Sequence, residues 1–243
     1  FHTDYDRIYR VVNDRYQNGE LIQHGTITYP TVGPTLGKDF PEIEAYTRMI
    51  YYDRNYIGFE DELYQSQMLL FAAEQYLEFF SFELLHGDPN TALDKPYEAV
   101  LSESLAKRLL DSDTGVQELV GKTIELYGNA TKITGIVSDP PVQSHLQYDL
   151  LLSYKTYIDL NGEGADTSWS WADFYHYVKL KELISLEDLT PKLEEFGIKY
   201  FKEGEVSGSV EKFHLQALSE AHFDTSMLYE FGQVVNGNID WTL

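Results

Sequence analysis

One periodicity constrains the C-terminal third more than any other feature. Leu189, Leu193, Phe196 and Tyr200 recur at spacings of four, three and four, as residues on one helix face do. The apolar, β-prone run Phe174 to Leu180 precedes them, and Lys212 to Leu218 follows with Phe213, Leu215 and Ala217 alternating to one side. Thr190 and Pro191 are expected to cap the helix start. The same order of strand, helix and strand is expected near the N-terminus. There, Asp4 to Val12 mixes charge with apolar residues, and Leu21 to Thr31 alternates loosely as a strand. A helix opening at Pro41, with Glu42 and Glu44 in its first turn, leads to Tyr-rich strands between Met49 and Phe71, interrupted at Asn55, Gly58 and Glu60 to Glu62.

The texture changes after Glu74. Tyr76, Leu77, Phe79, Phe80, Phe82, Leu84 and Leu85 crowd together before the turn Gly87-Asp88-Pro89-Asn90. Ser102 is then a good N-cap, with Glu103 in the first turn, Leu105 and Leu109 on one face, and a Glu103–Lys107 pair one turn apart. Ile124 to Tyr127 and Lys132 to Val137 flank Gly128 and Asn129 as a hairpin would, and Tyr148 to Tyr154 forms a third apolar run. The Gly-containing stretch Asn161 to Ser170 suits a boundary. Together these patterns predict an α+β fold of two subdomains. Residues 1–73 and 169–243 would form strand-helix-strand units from both chain ends, and residues 74–168 an inserted mixed α/β subdomain.

Charge narrows the partners. Forty Asp and Glu against 18 Lys and Arg give a net charge of -22, so phosphate backbones and anionic headgroups are repelled and nucleic acid is not an expected partner. Cysteine is absent, which removes disulfides, thiolate nucleophiles and cysteine-ligated zinc. No run approaches the roughly 18 to 20 apolar residues that span a bilayer. The chain opens at Phe1 without an initiator Met and stops at Trp241-Thr242-Leu243, the expectation being a fragment of something longer.

Several motifs suggest chemistry. Gly121-Lys122-Thr123 resembles the end of a phosphate-binding loop, but Gly115 stands one residue too early and a strand pattern follows where a helix should. Of seven histidines, His214 and His222 share a segment with Asp224, while His24, His86, His145 and His176 are scattered. No metal site is expected from such spacings. Acidic pairs such as Glu60-Asp61 and Glu194-Glu195 read as solvated charge, and Ser207-Gly208-Ser209 is no nucleophile elbow. Two aromatic runs, Tyr46, Tyr51, Tyr52 and Tyr56, and Trp169, Trp171, Tyr175 and Tyr177, could face a ligand or divide between core and surface by strand alternation. No catalytic, cofactor-binding or metal-binding residue is assigned, and no cofactor is expected.

Several segments, taken in order, resemble the MacB-type periplasmic core domain of bacterial ABC-transporter permeases, the MacB/FtsX-like family. They are Asp6-Arg7-Ile8-Tyr9-Arg10-Val11, then Phe79 to Pro89 running into Ala99 to Lys107, then Gly121-Lys122-Thr123-Ile124. Ile133 to Pro141, Ser144 to Asp149 and Phe213 to Leu218 continue the likeness. The resemblance implies a domain between the first and second membrane helices, at the periplasmic face of the inner membrane, with a membrane-proximal Porter-like subdomain and an inserted Sabre-like one. It implies as partners the flanking transmembrane helices, a second permease copy, a cytoplasmic ABC ATPase and a periplasmic partner protein. It implies transmission of ATP-driven motion for export or extraction of a substrate, and no catalytic residues. The competing class is a secreted, non-catalytic protein that binds a carbohydrate or peptide. Both readings predict no nucleotide site: the melting temperature of the purified chain is expected not to move with ATP, and a saturable rise would contradict this.

Overall fold

Asn18 and Gly19 both take left-handed conformations (φ 51° and 85°), the two-residue turn whose twist suits a hairpin. They join β1 (Ile8–Gln17) to β2 (Glu20–Gly25). The computed structural model describes residues 4–110, 114–142, 144–201, 209–221, 224 and 226–228. Next come α1 (Val32–Asp39), β3 (Ile43–Phe59), β4 (Glu62–Ala72), α2 (Tyr76–Phe79), β5 (Leu84–Gly87), β6 (Glu98–Ser102) and α3 (Glu103–Arg108). The chain continues through β7 (Thr123–Leu126), β8 (Asn129–Val137), β9 (Leu150–Ser153), α4 (Tyr154–Asn161), β10 (Phe174–Leu180), α5 (Leu186–Tyr200), β11 (Ser209–Ala217) and α6 (Leu218–Ala221).

These elements form an α+β fold of two units. One holds Asp4–Tyr46 and the described residues from Trp169 on; the other holds Thr47–Ser168. The first division thus falls within β3, after Tyr46, where the sequence reading put it at Ala73. Pairing explains the difference. β3 and β4 are bonded from Met49 with Ala72 to Phe59 with Glu62, and β4 is bonded to β9, so the hairpin cannot be parted from the middle of the chain.

In the terminal unit, β1 is central. β11 runs antiparallel along it from Tyr9 with Ala217 to Gln17 with Ser209. Its other edge is shared by β10, at Ile8 to Arg10, and by β2, from Asn13 to Gln17, with an irregularity at Arg15 and Tyr16. Val11, Val178 and Phe213 of this sheet meet Val32 and Leu36 of α1 and Leu189, Leu193 and Phe196 of α5 in one buried cluster. The α5 stripe is the predicted one, but its cap is Ser185, whose Oγ accepts from Glu187 N at 3.2 Å. Pro191 lies inside the helix on its exposed side, where solvent can reach the Glu187 carbonyl that it leaves unbonded. At Gly197 a Cβ would stand 2.4 Å from the Glu211 carbonyl oxygen, so glycine is what lets α5 lie on β11.

Pro41 does not start a helix. It ends α1, because the residue before a proline is pushed out of the helical region, and Phe40 is extended (φ -114°, ψ 98°). Nor do Asn55 and Gly58 interrupt β3, which breaks only at Glu60 and Asp61, both left-handed. These two positions instead receive the β7–β8 hairpin. The Tyr127 hydroxyl donates to Asn55 Oδ1 at 2.6 Å, and a Cβ on Gly58 would stand 3.2 Å from that of Glu125.

The inserted unit has the strand order β3-β4-β9-β6-β8-β5, with β7 on β8. β4 with β9 and β6 with β8 are parallel, the remaining pairs antiparallel. The β9 residues Leu150 to Ser153 are buried throughout, as a strand covered on both faces requires. Its register against β4 is held by Asp149, whose carboxylate accepts from Ser66 Oγ (2.5 Å), Gln67 N (2.8 Å) and Met68 N (3.1 Å), and pairs with Arg108 (3.3 Å). Tyr76, Phe80, Phe82 and Tyr148 pack mostly edge to face with centroids 5.1 to 5.3 Å apart in the closest pairs, Tyr76–Phe80 and Phe82–Tyr148.

Ser102 caps α3 as its position in the sequence suggests, accepting from Leu105 N at 3.1 Å, and Glu103 pairs with Lys107 at 2.6 Å. Ser102 is buried, so water cannot replace the lost bond. Ser102→Ala is expected to lower stability by about 1 kcal/mol in urea unfolding, and Glu103→Gln by much less because its partner is exposed.

Candidate functional site

Strand alternation in the terminal unit sends Arg10, Val12 and Asp14 of β1 to one side and Val11, Asn13 and Arg15 to the other. On the first side Asp14 faces His24 of β2 directly, and Val12 faces His214 of β11. Asp14 consequently lies between two imidazoles. His24 Nδ1 is 2.5 Å from Asp14 Oδ1, and His214 Nδ1 is 3.7 Å from Asp14 Oδ2. The rings stack with centroids 5.7 Å apart and 16° between planes. One candidate ligand atom from each residue lies within 4.8 Å of the other two. Burial holds the His214 imidazole below its ordinary pKa; Asp14 opposes this, while His24 and Arg10 add to it.

Neighbouring charges are engaged elsewhere. Arg10 Nε donates to Gln216 Oε1, and Gln216 Nε2 donates to Asp224 Oδ2 at 2.7 Å. Hydrogen bonds from Ser226 hold the Asp224 carboxyl below the usual carboxylate range. Lys212, opposite Asp14, lays its ammonium 5.0 Å from the Tyr16 ring centroid. The main chain of β2 is tied at this point too, since His24 O accepts from Leu228 N at 2.7 Å.

The expectation of no metal site rested on the scatter of the histidines, and the fold removes that premise for His24 and His214. No short spacing could have revealed them: the cue would have been the pairing of β1 with both β2 and β11. His222, singled out with His214, lies outside the described residues, as do Ser207 and Gly208.

On the other side of β1, Arg15 donates to Glu211 Oε1 and to the Tyr29 hydroxyl, both at 2.6 Å, and that hydroxyl donates to Glu211 at 3.1 Å. Burial first, and the Glu211 carboxylate next, push the Tyr29 phenol up to about 12. Asn13 is fully buried beside this network. The arrangement is a partly buried clamp between β1 and β11.

The remaining motifs resolve as structure. Gly121 N donates to Ile133 O at 2.7 Å and Lys122 N to Leu119 O at 2.9 Å, so the amides that a phosphate would need are already used. Gly121 is left-handed (φ 94°) and leads into β7. Glu60 and Asp61 form the β3–β4 turn, and Glu194 and Glu195 are exposed on α5. Of the aromatic runs, Trp169 stacks on Tyr200 (4.9 Å, 9°), while Tyr175 and Tyr177 are buried. Tyr46 packs against the terminal core and the Tyr52 ring meets Phe71 edge-on, leaving Tyr56 and Trp171 the most exposed ring of each run. Among the described residues no helix is long and apolar enough to cross a membrane.

The sequence profile of the MacB-like periplasmic core domain matches residues 1–196. The chain belongs to this family. It is the periplasmic domain of an ABC-type permease, and that family is not a catalytic one. Among solved structures, this MacB-like domain is similar to a domain assigned to a permease of Porphyromonas gingivalis, at 24% identity and a TM-score of 0.76 over 89% of this chain and 92% of that one. It is similar to the periplasmic region of MacB from Actinobacillus actinomycetemcomitans, at 16% identity and a TM-score of 0.60 over 88% and 89%. The extracellular domain of the noncanonic ABC-type transporter YknZ from Gram-positive bacteria aligns at 10% identity and a TM-score of 0.52, over 86% and 99%. A comparison with curated proteins finds no match.

The Arg15–Glu211 clamp makes a direct prediction. Glu211→Gln keeps the volume but removes the charge that Arg15 faces, and is expected to cost roughly 1.5 to 3 kcal/mol in urea unfolding at pH 7, the range for a partly buried hydrogen bond to a charged group. A change within about 0.5 kcal/mol, usual for free surface sites, would show that the clamp is not a stability element.

Proposed function

We propose that this domain carries ATP-driven conformational change across the cell envelope, serving export or extraction of a substrate by the permease. Support comes from family membership together with one observation: the start of β1 and the end of β11 are direct partners, Tyr9 with Ala217. If one membrane helix precedes β1 and another follows the C-terminal segment, both connect to this hydrogen-bonded pair, the second by way of α6 and of Leu228 beside β2. Phe1 and Leu243 themselves lie outside the described residues. A tilt of the two helices would then move the ladder as a rigid body, with little loss in bending between its strands. The terminal unit would be membrane-proximal, and the inserted unit held away from the bilayer.

The partners in this reading are the flanking helices, a second permease copy, a cytoplasmic ABC ATPase and a periplasmic partner protein. The test uses the full transporter. The domain has no cysteine, so paired cysteines introduced across the dimer create thiols at chosen positions only. Cross-linking the two domains is expected to stop transport while nucleotide binding persists. Transport that survives efficient cross-linking would make the domain a passive docking module.

A further inference from the structure

We propose that Asp14, His24 and His214 form a binding site for one divalent transition-metal ion of the zinc type, using one carboxylate oxygen and two imidazole nitrogens and leaving a position open to solvent. This goes beyond the transmission role and does not depend on it.

Geometry carries the proposal first. Ligands about 2.0 to 2.1 Å from a tetrahedral zinc lie roughly 3.3 Å from each other. His24 Nδ1 lies 2.5 Å from Asp14 Oδ1 and His214 Nδ1 lies 3.7 Å from Oδ2 of the same carboxylate, and one ligand atom from each of the three residues lies within 4.8 Å of the other two. Small side-chain rotations would seat an ion without moving the backbone. That backbone is a paired sheet: Asp14 and His24 are direct partners and His214 sits opposite Val12, so three strands hold the ligands in fixed register.

The donor chemistry selects the ion. Calcium and magnesium prefer all-oxygen shells, and soft ions prefer thiolates, which a chain without cysteine cannot supply. Two imidazoles and a carboxylate suit zinc and its first-row neighbours. Without an ion the set is unevenly satisfied, since one imidazole takes the short bond to Asp14 and the other stands off at 3.7 Å. The cations near the site are turned to other partners, Arg10 to Gln216 and Lys212 to the Tyr16 ring. The site is also reachable: Asp14, His24 and His214 side chains are 16%, 31% and 39% exposed. A bound ion would tie β2 and β11 to β1 at one point.

The experiment is calorimetric titration of the chelator-stripped 243-residue chain with zinc chloride at pH 7.5. One equivalent is expected to bind, with equimolar calcium and magnesium failing to compete. His24→Gln, His214→Gln and Asp14→Asn should each weaken the affinity at least about tenfold, a loss of the size seen even for outer-shell changes, while His86→Gln leaves it unchanged. Circular dichroism shows which variants remain folded. A readout free of variants is cobalt(II) loading of the unaltered chain, expected to give the intense visible absorption of a tetrahedral site. Failure to take up stoichiometric zinc, affinity indifferent to His24 and His214 in folded variants, or only the weak spectrum of octahedral cobalt would each overturn the proposal.

Discussion

The ladder between β1 and β11 is the interaction on which the terminal unit depends. It pairs Tyr9 through Gln17 with Ala217 through Ser209, bringing the two ends of the chain into one sheet. Everything between them is, in polymer terms, a loop that must close. Closure entropy grows only logarithmically with loop length, so a whole second unit can be inserted at little more cost than a short connection. That cost is offset locally by burial: β1 is covered on both sides over much of its length, and Phe213 of β11 packs with Phe196 of α5 and Val11 of β1 in one cluster. Remove the ladder, and α5 loses the surface on which Gly197 lets it settle.

The inserted unit solves a different problem. Its parallel pairs cannot be joined by tight turns, and each needs a crossover. The link from β6 to β8 runs through α3 and β7, and it begins at Ser102, which ends one strand and caps the next helix. β9 reaches β4 from far along the chain, and the Asp149 carboxylate fixes where it lands by taking hydrogen bonds from Ser66, Gln67 and Met68. A single acidic side chain thereby sets a register that four leucine-rich pairs alone would leave free to slip by two.

Strand period explains how one ladder serves two purposes. Alternate residues of β1 face opposite ways, so Arg15, one residue from Asp14, joins a partly buried clamp with Glu211 and Tyr29 while Asp14 meets two half-buried histidines. The clamp ties β11 to β1 on one side of the ladder.

Much of the element content was legible in the amino-acid order itself. The α5 stripe, the Ser102 cap, the β-prone runs Phe174–Leu180 and Lys212–Leu218, and the two-part α+β plan follow from side-chain period and capping chemistry, which are local. Even where the local reading erred, a local rule explains the outcome, as with Pro41 forcing Phe40 out of α1 instead of opening a helix. Three things were decided only by tertiary structure. β3 passes through Asn55 and Gly58 because a distant hairpin packs there, the unit division falls at Tyr46 because β3 and β4 pair, and Asp14, His24 and His214 meet because β2 and β11 take opposite edges of β1. Local sequence carries dihedral preference and side-chain period; which strands become neighbours is settled by burial and pairing between residues far apart in the chain, and no window on the sequence contains both partners.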